Sequence, residues 1–274
     1  MSECNHDCSN CSANCGERTE PQNLLVEQNA ESNIKKVIGV VSGKGGVGKS
    51  LVTSLLATAM RGKLKKVALM DADITGPSIP KMFGIHQRAV ADEDYMYPIP
   101  SRFGTKIMSL NLLVENETDP VIWRGPIIGG LIQQFWKDVK WGDIDFMFID
   151  MPPGTGDVPL TVFQSIKLDG IIVTATPQEL VSMIVEKAVN MAKMMNVPIL
   201  GVVENMSYLK CPHCGEELQI FGPSHTAEAA ARFGLPLLDR IPMDPKMAEL
   251  SDAGRIEEAD TSVLANTIDM LLKL

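Results

Sequence analysis

Eight consecutive residues, Gly43-Lys44-Gly45-Gly46-Val47-Gly48-Lys49-Ser50, constrain this chain more than any other stretch. They fit the pattern G-x-x-x-x-G-K-[ST], in which glycines let successive backbone N–H groups turn inward around phosphate oxygens. The pattern carries meaning only between a strand and a helix. Both flanks qualify: Val37-Ile38-Gly39-Val40-Val41 is a short apolar, β-branched run, and Ser50 to Arg61 carries helical spacing. The helix start adds partial positive charge, Lys49 is placed to neutralise the β and γ phosphates, and Ser50 is placed to ligate Mg2+. The loop predicts ATP with Mg2+ as its ligand.

Similar apolar runs recur at Lys66 to Met70, Phe146 to Ile149, Gly170 to Thr174 and Ile199 to Val203. Continuous apolar strands imply a sheet buried on both faces. Between them lie helical patterns at Pro126 to Val139, Pro177 to Met195 and Ser224 to Phe233, with Pro126 and Pro177 suited to a first helical turn. The alternation predicts an α/β fold, a doubly wound, mostly parallel sheet with right-handed crossovers. Only 5% of residues are aromatic against 45% hydrophobic, which suits an aliphatic α/β interior. Residues 1–33 are rich in Ser, Asn, Glu and Cys and cannot build a core, so they read as a metal-binding tail. Residues 34–274 then form one ATPase domain, whose 207–223 stretch is a cysteine-bearing loop.

Carboxylates stand at two further strand ends. Leu69-Met70-Asp71-Ala72-Asp73 delivers two acids, and Phe148-Ile149-Asp150 ends in a third before the rigid turn Met151-Pro152-Pro153-Gly154-Thr155-Gly156. Acids so placed orient water and hold Mg2+ through its hydration shell. Asp71 is open to a second reading as a loop or capping residue, and Asp157 reads as a helix N-cap. Asn205 closes the Val202-Val203-Glu204 strand, where its amide can both donate and accept as adenine recognition requires, or can simply make a turn.

The six cysteines fall in two clusters, Cys4, Cys8, Cys11 and Cys15 at the front and Cys211 with Cys214 downstream. Clustered thiols in a reducing compartment point to metal more than to disulfides. One C-x-x-C pair supplies two thiolates where an iron-sulfur cluster or tetrahedral zinc takes four, so two chains would complete a site. A zinc ribbon would need a second pair nearby, and none follows Cys214 in the sequence. The front cluster has four thiolates of its own and His6 as a spare ligand, which leaves iron-sulfur, zinc and a free thiol tail all open.

The second loop lysine, Lys44, places the chain in resemblance to the deviant Walker A superfamily of ParA, MinD and the nitrogenase iron protein. Lys210-Cys211-Pro212-His213-Cys214-Gly215, Trp123-Arg124-Gly125-Pro126 and Asp150-Met151-Pro152-Pro153-Gly154-Thr155-Gly156 resemble, within it, the Mrp family of iron-sulfur cluster carriers. The likeness runs from about Lys36 to the C-terminus. It implies a homodimeric ATPase in which Lys44 reaches the partner's phosphates, Asp73 positions the attacking water, and Asn205 and Pro242 flank the adenine. It further implies a cluster, of the 4Fe-4S kind, bridged by Cys211 and Cys214 of both chains. A cluster scaffold would be the donor and apo iron-sulfur proteins the recipients.

Rival functions share the nucleotide loop. A ParA- or MinD-like positioning ATPase with a structural zinc would need DNA or membrane contacts. The formal net charge of -9 opposes binding to phosphate backbones, and the terminal segment Ser262 to Leu274 carries a single lysine, which suits a helix docked on the core. A redox role like that of the nitrogenase iron protein lacks a distinctive signature. Neither nucleic acid nor membrane is expected as partner, no apolar stretch approaches a membrane span, and a cytoplasmic location is expected.

Overall fold

A computed structural model describes residues 24–73, 76, 78–114, 125–154, 156–178 and 181–274. The first strand, β1 (Asn33–Ser42), shows why the sheet has two covered faces: Ile38 and Val40 enter one core while Val37 and Val41 enter the other. The phosphate loop follows it and opens α1 (Lys49–Gly62), which leads to β2 (Val67–Asp71) and the one-turn α2 (Ile79–Met82). Next come a small hairpin of β3 (Val90–Ala91) and β4 (Met96–Tyr97), then β5 (Ile99–Pro100) and β6 (Lys106–Ser109). The chain continues through α3 (Gly125–Lys137), β7 (Asp143–Asp150), α4 (Asp157–Ser165), β8 (Gly170–Ala175), α5 (Val181–Met194) and β9 (Ile199–Glu204). A second hairpin, β10 (Leu209–Lys210) with β11 (Glu217–Leu218), projects before α6 (Thr226–Ala231), β12 (Leu237–Arg240), α7 (Pro245–Asp252) and α8 (Ala265–Leu271).

Among the described residues, eight strands form the main sheet in the order β12-β9-β8-β1-β7-β2-β6-β5. All neighbours are parallel except the last pair, β5 and β6. Residues of α3, α4, α5 and α6 pack on one face around Phe135, Trp141 and Val162, and those of α1, α2, α7 and α8 on the other around Leu55, Leu56 and Ile268. This is the expected doubly wound, mostly parallel architecture. In open sheets of this kind ligands sit beyond the carboxyl ends of the strands. The central position of β1 therefore puts its loop at the middle of that edge.

Several boundaries differ from the sequence reading. Pro177 does not begin a helix, since α5 starts at Val181. The N-cap of α4 is Gly156, with Asp157 the first helical residue. Upstream of β1, residues 26–32 already lie on the core: Val26 N donates to Ser165 O at 2.8 Å and Trp136 Nε1 donates to Val26 O at 2.9 Å. The C-terminal segment docks as anticipated, burying Leu264, Ile268 and Leu271. Among the described residues no helix is long and apolar enough to cross a membrane. Cys4, Cys8, Cys11 and Cys15, with His6, Trp123, Arg124 and Thr155, lie outside the described residues.

Candidate nucleotide site and thiol arm

Strand register assembles the site. Asp150, the last residue of β7, pairs with Val40 of β1 on one side and with Asp71 of β2 on the other, so three strand ends meet beneath the loop. Lys49 is only 5% exposed, and its ammonium lies 2.7 Å from Asp150 Oδ1 and 3.3 Å from Asp73 Oδ2. Ser50 Oγ donates to Asp150 Oδ2 at 2.6 Å and Thr53 Oγ1 donates to Asp150 Oδ1 at 2.9 Å. A fully buried carboxylate is costly unless paired and hydrogen-bonded, and Asp150 meets both conditions through α1 alone. Above this floor a cavity of about 270 Å³ is lined by the loop together with Asp73, Ser78 and Pro153.

The oxygen donors fit Mg2+. Ser50 and Asp150 present a hydroxyl and a carboxylate side by side, and Mg2+ characteristically takes one or two such ligands with water and substrate phosphate filling the rest. No group of three or more His, Cys, Asp or Glu is placed to hold a metal ion among the described residues. Asp71 is buried, accepts from Ser109 Oγ at 3.0 Å, and accepts from the Asp73 amide at 3.1 Å. Burial, then the charge of Asp150, pushes its carboxyl well above the usual range. Asp71 thus supports the Asp73 backbone from below.

The remaining loop contacts tie it to the strand ends. Gly154 N donates to Ser42 O at 2.9 Å, which links the turn after β7 to the start of the loop. Lys44 Nζ donates to Gln178 Oε1, just beyond β8. Asn205 is 1% exposed and its Nδ2 donates to Val47 O at 2.9 Å. The positive φ of the turn at this point, 54°, belongs to Met206. Pro242 follows β12 beside that turn, where Ser207 N donates to Ile241 O at 2.9 Å.

Cys211 and Cys214 sit at the tip of the β10–β11 hairpin. Cys211 N donates to Glu216 O and Gly215 N to Cys211 O, both at 2.9 Å, which folds the segment into a tight knuckle. The backbone amides of Cys214 and His213, with the Cys214 thiol, hold the Cys211 thiol below its ordinary value. A lowered thiol is closer to the thiolate form that binds metal. Cys214 and His213 are exposed, as are Leu218, Ile220 and Phe221 next to them. The arm therefore offers two sulfur donors and an apolar flank at one accessible place.

A family model described as "ParA: NUBPL iron-transfer P-loop NTPase" matches residues 33–273. The chain belongs to this P-loop NTPase family. It is 45% identical over 261 residues to an iron-sulfur cluster carrier protein of Methanocaldococcus jannaschii, covering 93% of this chain and 90% of that one. A protein of the same description from Clostridium perfringens is 46% identical over 234 residues, 82% of each chain. Among solved structures, the nucleotide-binding protein of Archaeoglobus fulgidus in complex with ADP superposes with a TM-score of 0.74 at 43% identity, covering 82% of this chain and 88% of that one.

The structure also supplies residues that sequence reasoning passed over. Thr53 lies one helical turn beyond Lys49, a spacing that puts both over the same strand end and was readable from the i, i+4 rule. Gln178 and Ser109 come from unrelated loops and strands, and no local pattern marks them. Glu204, in contrast, is a charged residue at the end of an apolar strand and is completely buried.

Proposed function

We propose that the chain is an ATP-hydrolysing carrier that holds an iron-sulfur cluster on Cys211 and Cys214 and gives it to apoproteins. One observation carries this reading: the two accessible sulfur donors stand on a hairpin rooted in the strand ends that hold the phosphate loop. The relatives described as iron-sulfur cluster carrier proteins support it across nearly the whole chain. Two thiolates per chain leave a four-ligand cluster half held, so the carrier works as a homodimer whose partner supplies the other two. A scaffold protein is the donor. The setting is a reducing cytoplasm, where such thiols stay free for metal.

In the ATPase cycle, Lys49 and the amides of Gly45 to Ser50 bind the phosphates, and Ser50 and Asp150 hold the cation. When bound, Mg2+ neutralises charge growing on the β and γ phosphate oxygens. Asp73 orients water toward the γ phosphate, and Lys44 leaves Gln178 to engage the partner's nucleotide. Asn205 and Pro242 border the adenine. Cys4, Cys8, Cys11 and Cys15 hold a second iron-sulfur cluster or zinc.

Anaerobic purification with iron, sulfide and zinc analysis tests the carrier reading. About one 4Fe-4S cluster per dimer is expected after reconstitution of a protein lacking the four front cysteines. The same protein with Cys211→Ser should hold none, and retention of the cluster there, or zinc alone in both, would overturn the reading.

A further inference from the structure

Glu204 is 0% exposed and its two carboxylate oxygens are taken by hydroxyls from opposite ends of the cysteine-bearing arm. Ser207 Oγ, just before the arm, donates to Oε1; Ser224 Oγ, just after it, donates to Oε2. One buried carboxylate thus staples both ends of a loop of about 16 residues, whose closure would otherwise be opposed by chain entropy. Arg240 completes the base. Its Nε donates to Ser207 Oγ at 2.8 Å and lies 3.8 Å from Glu204 Oε1, its Nη2 lies 3.4 Å from Glu217 Oε2 on β11, and its guanidinium stacks 5.0 Å above the Tyr208 ring.

The same two residues are the last of their strands and lead directly into the nucleotide side. Glu204 precedes Asn205, whose side chain holds Val47 O of the phosphate loop. Arg240 precedes Ile241, whose N donates to Glu204 O at 2.8 Å, and Met243 N donates to Tyr208 O at 2.7 Å. Val47 of the loop is therefore linked to the staple through the Asn205 side chain and one peptide unit.

We propose that Glu204 and Arg240 are positioning residues that make the geometry of the Cys211 and Cys214 arm depend on the nucleotide held by the loop. This rests on the reading that the arm holds the cargo, but its test does not. In reduced, metal-free full-length protein, iodoacetamide labelling of Cys211 and Cys214 is followed by peptide-resolved mass spectrometry with and without Mg-ATP. Nucleotide is expected to change the labelling rate by about fivefold or more, the lower end of typical coupling between sites. Arg240→Gln, at a position whose side chain is 38% exposed, should bring that ratio below about twofold with ATP affinity and thermal unfolding retained. Arg240→Lys should restore part of it, because an ammonium can still reach Ser207 but cannot also span to Glu217. Ser224→Ala, which frees only the far end of the arm, should also reduce the ratio. A wild-type ratio in Arg240→Gln, or no response to nucleotide in the wild type, overturns the proposal. Cluster content by iron and sulfide analysis decides the carrier reading separately.

Discussion

Gly48→Ala should damage the phosphate loop through Asn205, and the double variant with Asn205→Ala should reveal it. Gly48 has a φ of 77°, where a Cβ costs about 1–2 kcal/mol. That Cβ would also lie 2.2 Å from Asn205 Nδ2, too close for any real contact, so the amide must leave Val47 O. Losing that buried hydrogen bond costs a further ~1–2 kcal/mol. Gly48→Ala should therefore destabilise by about 2–4 kcal/mol, and Asn205→Ala by the hydrogen-bond share alone, ~1–2 kcal/mol. In the double variant the amide is already gone and only the backbone cost is added. Its total should match Gly48→Ala within ~0.5 kcal/mol instead of reaching the sum, a coupling readable in a double-mutant cycle. Urea unfolding of the four proteins measures this, and ATP affinity should fall in the same order. Strict additivity would refute the argument, since it would mean that Gly48 and Asn205 act independently.

The Asp71 carboxyl is raised by burial and by Asp150, so the folded chain keeps a proton there that the unfolded chain has lost. Stability should fall as pH rises from the ordinary carboxylate value of 3.8 toward the raised one, and Asp71→Asn should flatten that fall, as urea titrations from pH 4 to 8 would show. Gly254→Ala should destabilise by about 2–4 kcal/mol in thermal or urea unfolding, because its φ is 68° and the new Cβ would meet the Gly84 backbone at 2.5 Å, where no side chain can yield. Lys44→Ala should leave stability within ~0.5 kcal/mol of wild type, since only its half-buried contact with Gln178 is lost, while ATP turnover falls at least ~10-fold in a phosphate-release assay. Thr53→Val removes one of three donors to Asp150 and should weaken ATP binding while leaving the Cys211 and Cys214 labelling ratio at saturating Mg-ATP unchanged, as titration and mass spectrometry would check.

The five strands β1, β2, β7, β8 and β9 were legible because each carries a stretch that is buried on both faces and therefore apolar. β6 was not, and of β12 only the end, at Ile241 and Pro242, was marked. Lys106-Ile107-Met108-Ser109 and Leu237-Leu238-Asp239-Arg240 carry polar ends that serve neighbours, Lys106 donating to Trp141 O and Asp239 accepting from Thr267 N at 2.7 Å. The antiparallel β5 has two residues and no pattern to read.

Taken alone, the eight residues from Gly43 to Ser50 determined a phosphate-binding loop between strand and helix, since glycine spacing and the lysine act through local backbone geometry. The acids at 71, 73 and 150 were equally visible, because strands deliver what stands at their ends. Only the tertiary structure decided which of these meet: the sheet order sets β7 between β1 and β2, so Asp150 rather than Asp71 bonds Lys49, Ser50 and Thr53. It alone also brought Glu204 and Arg240 beneath the cysteine arm, because residues 204, 207, 224 and 240 share no period and become neighbours only where β9 and β12 end side by side.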